Sequence, residues 1–330
     1  MENVLAARLQ SLEFGTVQCY KSIAIVPLLA PEGAFRYRTL GEALATSDFT
    51  ITEISTSGSV PELLVVNRGQ SPVLLIDGEE LAGAKQNRVL NTSVLLKEFS
   101  ETRIPVSCTE QGRWSYSSPS FASSGNVMAQ KARALKSRSV SQSLNTSASF
   151  HSDQGEVWNE ICELQAKAGC CSPTSAMGDV FKAREEDLHR CLEIFHRIPG
   201  QLGLLAFTNT RPAGFDLLSL STAYATVHPK LVRSYALESL LESAPADAPS
   251  LDFTTMAKSF TDRAVACGEH RFSSVGCGSD YRYRGEQLAG AALVHAEEAI
   301  HVAFFQLENP RPDSPSEMAS LRSRRRYYRP

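Results

Sequence analysis

The sequence lacks any apolar run approaching the roughly 20 residues a bilayer span requires. Its first residues, MENVLAARLQSLEFG, have neither the basic start nor the apolar core and cleavage site of a secretory signal. Positive charge is not in excess: the formal net charge is -3, which argues against general adhesion to DNA or an anionic membrane. The eight cysteines include no CxxC pair, so they indicate neither a zinc pattern nor a disulfide framework, and they read as reduced thiols of a cytoplasmic protein. Gly276-Cys277-Gly278-Ser279-Asp280 lacks the lysine of a P-loop, and His295-Ala-Glu297-Glu298-Ala-Ile-His301 lacks the HExxH spacing of a metalloprotease. No metal or cofactor is assigned from the residues.

What is present suffices for folding without staples. A chain of 330 residues, 42% of them hydrophobic, can bury one large core or two medium ones. Ile23 to Leu29 reads as an apolar strand, Leu40 to Ala45 as a helix and Phe49 to Ile54 as an alternating strand. A meander is expected next: Leu63 to Val66, turned by Asn67-Arg68-Gly69-Gln70-Ser71, pairs with Val73 to Asp77, followed by strands over Arg88 to Leu96 and Ile104 to Thr109. Helices are expected over Glu156 to Ala168, Ala176 to Ile198, Thr226 to Ser243 and Leu251 to Cys267. Later strands are expected over Gly203 to Phe207, Gly214 to Leu220, Phe272 to Val275, Leu288 to His295 and Ala299 to Leu307.

The expected fold is therefore α+β, with mostly antiparallel β-meander sheets and packed helices. It divides into an N-terminal β-rich part over 1–114, a Ser-rich connector over 115–150, a C-terminal α+β part over 151–308 and a disordered basic tail over 309–330. The tail carries Arg322, Arg324, Arg325 and Arg326 beside Tyr327 and Tyr328, a composition able to touch RNA. Gly78-Glu79-Glu80-Leu81-Ala82-Gly83-Ala84 recurs as Gly285-Glu286-Gln287-Leu288-Ala289-Gly290-Ala291 with one change, which raises duplication of a hairpin unit as one explanation and chance recurrence of small residues as the other.

The densest functional signal lies between Asp77 and Trp114. Polar residues concentrate where the hairpin narrows, in IDGEELAGAKQNRVLN, and again at the end of IPVSCTEQGRW. On the return strand Arg88, Leu90, Thr92, Val94 and Leu96 share one face, and Val89, Asn91, Ser93 and Leu95 the other. If consecutive strands lie side by side, the two polar clusters meet. Lys85, Arg88 and Arg113 then suit phosphate, Gln86 and Asn91 suit sugar or base edges, and Trp114 suits stacking. Glu80 and Glu110 are the acid and base candidates, one protonated by burial and the other ionised. The bland alternative is a solvated hairpin tip with ordinary ion pairs.

These two motifs, with PGQLGLLAF at Pro199 to Phe207 and GCGSDYRYRGEQLAGAAL at Gly276 to Leu293, resemble the ARG and rhodanese-phosphatase-associated protein family. The family is named for neighbours that include ADP-ribosylglycohydrolases. The likeness covers roughly Phe49 to Leu307, and it implies a role near NAD or ADP-ribose metabolism. The expected function is binding or hydrolysis of an ADP-ribose-like nucleotide or its conjugate, with a non-enzymatic sensor or interaction module as the alternative.

Overall fold

A computed structural model describes residues 3–55, 58–242 and 251–308. The tail expected to be disordered, with its arginines, lies outside the described residues. Among the described residues, no helix is long and apolar enough to cross a membrane.

The strand Ile23–Leu29 is apolar at every position because both of its faces are covered. It lies within a nine-stranded antiparallel sheet that continues through Gln201–Thr208, Arg211–Leu218, Glu298–Gln306, Leu288–His295, Ser279–Gly285 and Gly268–Ser273. Alternation sends Ala24, Val26 and Leu28 into a core with Leu5, Phe260 and Ala264, from the helices Asn3–Gln10 and Phe253–Val265. Ile23 and Ile25 face the opposite core. Leu204, Ala132, Val157, Tyr224 and Leu231 fill that core, the last four from the helices Gln130–Ser147, Gln154–Ala168 and Ser221–Leu241. The fold is thus α+β, as expected, and the N-terminal strand pairs directly with the C-terminal half of the chain.

A third core lies between a six-stranded sheet and a three-stranded one. The larger runs in the order Phe121–Val127, Glu79–Gly83, Arg88–Leu90, Ser100–Cys108, Glu62–Asn67, Phe49–Glu53. The smaller comprises Val94–Leu96, Val73–Leu75 and Arg38–Thr39, the last pair parallel. Phe49, Ile51, Leu63, Val65, Leu81, Leu90 and Ile104 meet Val73, Leu75, Val94 and Leu96 between them.

Several expectations change. The hairpin of Leu63 to Val66 with Val73 to Asp77 does not form; Glu62–Asn67 pairs instead with Phe49–Glu53 and Ser100–Cys108. The cause is Asn67, whose amide donates to the carbonyls of Ser71 and Lys97 at 3.0 and 2.9 Å and ties the loop to a later segment. The strand read over Arg88 to Leu96 breaks at Asn91 to Ser93 and serves two sheets. The helix read over Ala176 to Ile198 breaks at Arg184 into Met177–Ala183 and Glu185–Ile194. The Ser-rich stretch is no surface excursion throughout: it supplies the strand Phe121–Val127 and an 18-residue helix that buries Arg133, Lys136, Val140 and Leu144. The repeated heptapeptides are not equivalent hairpins, since the turn falls at Asp77 and Gly78 in the first but at Glu286 and Gln287 in the second.

The two β regions are joined by buried charge. Arg133 donates to Asp77 at 3.0 Å and to both oxygens of Asp216 at 2.9 and 2.6 Å. The Lys136 ammonium contacts Asp77 and donates to the carbonyls of Leu90 and Asn91 at 2.9 and 3.2 Å. Burial alone would raise the pKa values of Asp77 and Asp216. The facing cations outweigh it and hold both carboxyls below the ordinary carboxylate range.

Arg133→Met leaves the buried Asp216 without its guanidinium and Asp77 with Lys136 alone, and is expected to cost about 3–5 kcal/mol in urea unfolding, whereas Arg138→Met, at a half-exposed pair with Glu156, should cost under about 1 kcal/mol. The depressed pKa values fix the direction with pH. Their contribution is complete above about pH 4, the unfolded-chain value, and is lost as pH falls below it, because the unfolded state then binds more protons. Equal losses in the two variants would contradict this assignment.

Candidate functional site

The predicted constellation starts at the turn Asp77-Gly78. Gly78 has φ +84, and a Cβ there would meet Arg133 Cδ at 2.8 Å, so the close approach of the buried guanidinium requires glycine. The strand Glu79–Gly83 then pairs with Arg88–Leu90, placing Glu80 opposite Val89 and Leu81 opposite Arg88. Because side chains alternate along a strand, Glu80 and Arg88 project from opposite faces of this sheet. Val89 joins the core beside the helices, and Leu81 joins the core between the two β-sheets. The residues read as one cluster are therefore divided.

On the helix-facing side, Glu80 is fully buried and accepts from Thr109 Oγ1 at 2.8 Å. Its second oxygen has no hydrogen-bond partner among the described residues, and neither does Asn126 Oδ1. Burial pushes the Glu80 carboxyl up; the Thr109 hydrogen bond and the neighbouring Ser124 and Asn126 side chains oppose this only in part, and Glu110 adds repulsion. Asn126 and Ser124 lie where the pairing of Phe121–Val127 with Glu79–Gly83 shifts register, a bulge that composition alone did not reveal. Asn91 also faces this side, donating to the Phe150 carbonyl at 2.9 Å and accepting from Ser107 at 2.7 Å. Both ends of its amide are spent on packing.

Glu110 and Arg113 form a clamp at the sheet's end. Glu110 Oε2 accepts from Arg113 Nε and Nη2 at 2.9 and 2.6 Å and from the Asn87 amide at 3.2 Å; Oε1 accepts from Thr174 at 2.9 Å. Burial opposes ionisation of Glu110, but Arg113 and Thr174 prevail and its pKa is lowered. Arg113 also donates to the carbonyls of Gly83, Ala84 and Ser115. This pair fixes the Ala84 to Asn87 turn, which makes Arg113 a positioning group.

The other side gathers Arg88, Gln86, Lys85 and Trp114. The Arg88 guanidinium is 0% exposed. Its Nη1 donates to Gln86 Oε1 at 2.7 Å, its Nη2 lies 4.0 Å from Glu53, and Nε and Nη2 have no hydrogen-bond acceptor among the described residues. Gln86 is anchored by donating to the Glu110 carbonyl at 2.9 Å. Above Arg88, 5.6 Å from its guanidinium carbon, sits the Trp114 ring, 48% exposed. Lys85 Nζ lies 5.3 Å from the Trp114 ring centre and 5.2 Å from that of Tyr116, which is 52% exposed. Glu53 and Tyr116 were missed. Glu53 carried a signal, since it occupies the inward register of Phe49 and Ile51 on an alternating strand. Tyr116 carried none, because its exposure depends on tertiary structure.

Among the described residues, no group of three or more His, Cys, Asp or Glu is placed to hold a metal ion. His301 is buried between Ser93 and Asp216, while His295 packs edge-on to Phe35. Cys108 is buried, and burial pushes its thiol up.

The two carboxyls should separate in titration. Glu80→Gln supplies a neutral group where burial already favours one, so at pH 7 it is expected to keep or raise stability. It should also remove a decline that begins near the unfolded value of about pH 4.3 and continues as pH rises through the higher folded value. Glu110→Gln loses charge-assisted bonds and should cost about 1–3 kcal/mol at pH 7. Urea unfolding across pH 4 to 8 decides, and a larger loss for Glu80→Gln than for Glu110→Gln would refute the division.

A model of the ARG and Rhodanese-Phosphatase-superfamily-associated Protein domain matches residues 11–305. The match begins ahead of Ile23–Leu29 and so includes both β regions and their ionic junction. No curated protein and no solved structure matches the chain. On the extent of that match, the chain belongs to the ARG and Rhodanese-Phosphatase-superfamily-associated Protein domain family.

Proposed function

We propose that this protein binds a nucleotide of the ADP-ribose or NAD class, or a conjugate of one, on the face formed by Lys85, Arg88, Trp114 and Tyr116. One observation carries the reading: a buried guanidinium keeps two N–H directions without an acceptor directly beneath a half-exposed indole. A phosphate supplies paired acceptors for such a fork, and a base or nicotinamide ring stacks on the indole. Lys85 adds a second cation beside both rings. The ARG association in the family's name supports the ADP-ribose class over other nucleotides.

The sensor alternative gains from the division of the site. Burial favours the protonated form of Glu80, as a general acid needs, but it faces away from Arg88, and Glu110 is locked by Arg113. Binding is therefore the primary role proposed, with hydrolysis secondary.

ADP-ribose should raise the melting temperature of the wild type by mass action. Trp114→Ala changes an exposed side chain and should weaken affinity about tenfold, equivalent to about 1.4 kcal/mol; Arg88→Lys should do at least as much by removing the fork. Arg113→Lys should lower stability while leaving affinity unchanged. Absence of any shift with ADP-ribose, NAD or AMP, or an equal shift in Trp114→Ala, would count against the proposal. Product formation that Glu80→Gln abolishes would move the reading to an enzyme.

A further inference from the structure

A cavity of about 450 Å3 opens where the helix Gln130–Ser147 begins, the helix Ser221–Leu241 ends and the strands Gln201–Thr208 and Arg211–Leu218 turn. None of the residues in the nucleotide reading lines it, and its volume is that of a small-molecule site. The helix starting at Gln130 has Ala129 at its N-cap and no side-chain cap of its own. Glu238 substitutes, accepting the Lys131 backbone N–H at 2.6 Å.

The lining mixes Glu238, Glu242 and Glu308 with Lys131, Lys167 and Arg211, and two of its acceptors keep free capacity. Glu238 makes no ion pair among the described residues, because the Lys131 ammonium is drawn to Glu160 and Glu308 at 3.7 and 3.4 Å. Asn209, at φ 55 in the turn, donates to Glu242 at 3.3 Å, while its buried Oδ1 has no donor among the described residues. Lys167 and Arg211 also line the cavity, and Leu164, Leu241 and Pro212 give it an apolar wall.

We propose that this cavity binds a small organic cation, an alkylammonium or guanidinium group whose N–H donors pair with Glu238 and Asn209 while its stem lies on Leu164, Leu241 and Pro212. Proton linkage gives the site a signature. Burial pushes the Glu238 carboxyl up to about 7, against the opposing effects of the Lys131 amide and ammonium. An incoming cation favours the ionised carboxylate and displaces that proton. The chemistry has two sources, a free amine or guanidine and the arginines of this chain's own tail.

Calorimetric titration of agmatine into the full chain distinguishes them. Affinity should rise about tenfold between pH 6 and 8, as the ionised fraction of a group with a pKa of about 7 rises from roughly one-tenth to nine-tenths. At pH 6 close to one proton should be released per agmatine, read from the dependence of the heat on the buffer. Glu238→Gln keeps an acceptor for the Lys131 N–H, so the helix start stays capped, yet it should lose at least tenfold in affinity and all of the pH dependence. If replacing Arg322, Arg324, Arg325 and Arg326 with alanine tightens agmatine tenfold, the same chemistry is supported with the chain's own guanidinium groups as the competing occupant. Equal affinity at pH 6 and 8, unchanged affinity in Glu238→Gln, or no binding by either the wild type or the alanine-substituted tail would each overturn the proposal.

Discussion

Arg133 is the constraint on which the arrangement of the molecule depends. Its guanidinium reaches Asp77, at the turn entering the six-stranded sheet, and Asp216, within the nine-stranded sheet. Two β regions are thereby tied by one side chain of the intervening helix, beside the shared core in which Ile76 and Val89 join Leu204 and Ile300. Taking such charges out of water costs several kcal/mol per ion, and only complete pairing offsets it. Pairing here is extensive: Asp216 also accepts from Tyr235 at 2.8 Å and lies 3.0 Å from His301, and Thr92 donates to Asp280 at 2.6 Å, beside Arg282.

Within that layer, Ser93, His301 and Asp216 form a chain with contacts of 2.7 and 3.0 Å. The composition is that of an acyl-transfer triad, but the environment argues for a brace. Asp216 is already saturated by Arg133 and Tyr235. Ser93 Oγ accepts the Asp77 backbone N–H at 2.9 Å, and the void beside it measures about 10 Å3, room for one water and no substrate. Function follows from access as much as from residue identity.

The same layer explains which parts of the fold were legible in the sequence. Leu288–His295 matches its expected bounds because an uncharged run, LAGAALVH, lies between Glu286-Gln287 and Glu297-Glu298. Parity along Arg88 to Leu96 also survives the break at Asn91, since Leu90, Val94 and Leu96 share one core and Val89 and Leu95 another. Val127 to Ser137 reads as a helical stretch within the Ser-rich connector, but the full helix Gln130–Ser147 was obscured because its buried positions include Arg133 and Lys136, whose acidic partners lie over 50 residues away in the chain, the bonds to Asp77 spanning 56 and 59 residues. Ser279–Gly285 was hidden in the same way: Tyr281 and Tyr283 pack in one core while Asp280 and Arg282 enter the ionic layer. Charged residues read as surface when their counter-charges are remote in sequence.

The candidate site was legible in its residue types and not in its geometry. Reading IDGEELAGAKQNR as one cluster assumes that neighbours along a hairpin converge, whereas pairing of Glu80 with Val89 and Leu81 with Arg88 sends the carboxyl and the guanidinium to opposite sides. A general acid must come within hydrogen-bond reach of the oxygen it protonates. A phosphate held by Arg88 could not present a leaving oxygen to Glu80 without parting the strands Glu79–Gly83 and Arg88–Leu90. That separation would open the core formed by Leu81 and Leu90. The register of a single strand pair thus bears on function, favouring a face that binds over a cleft that cuts.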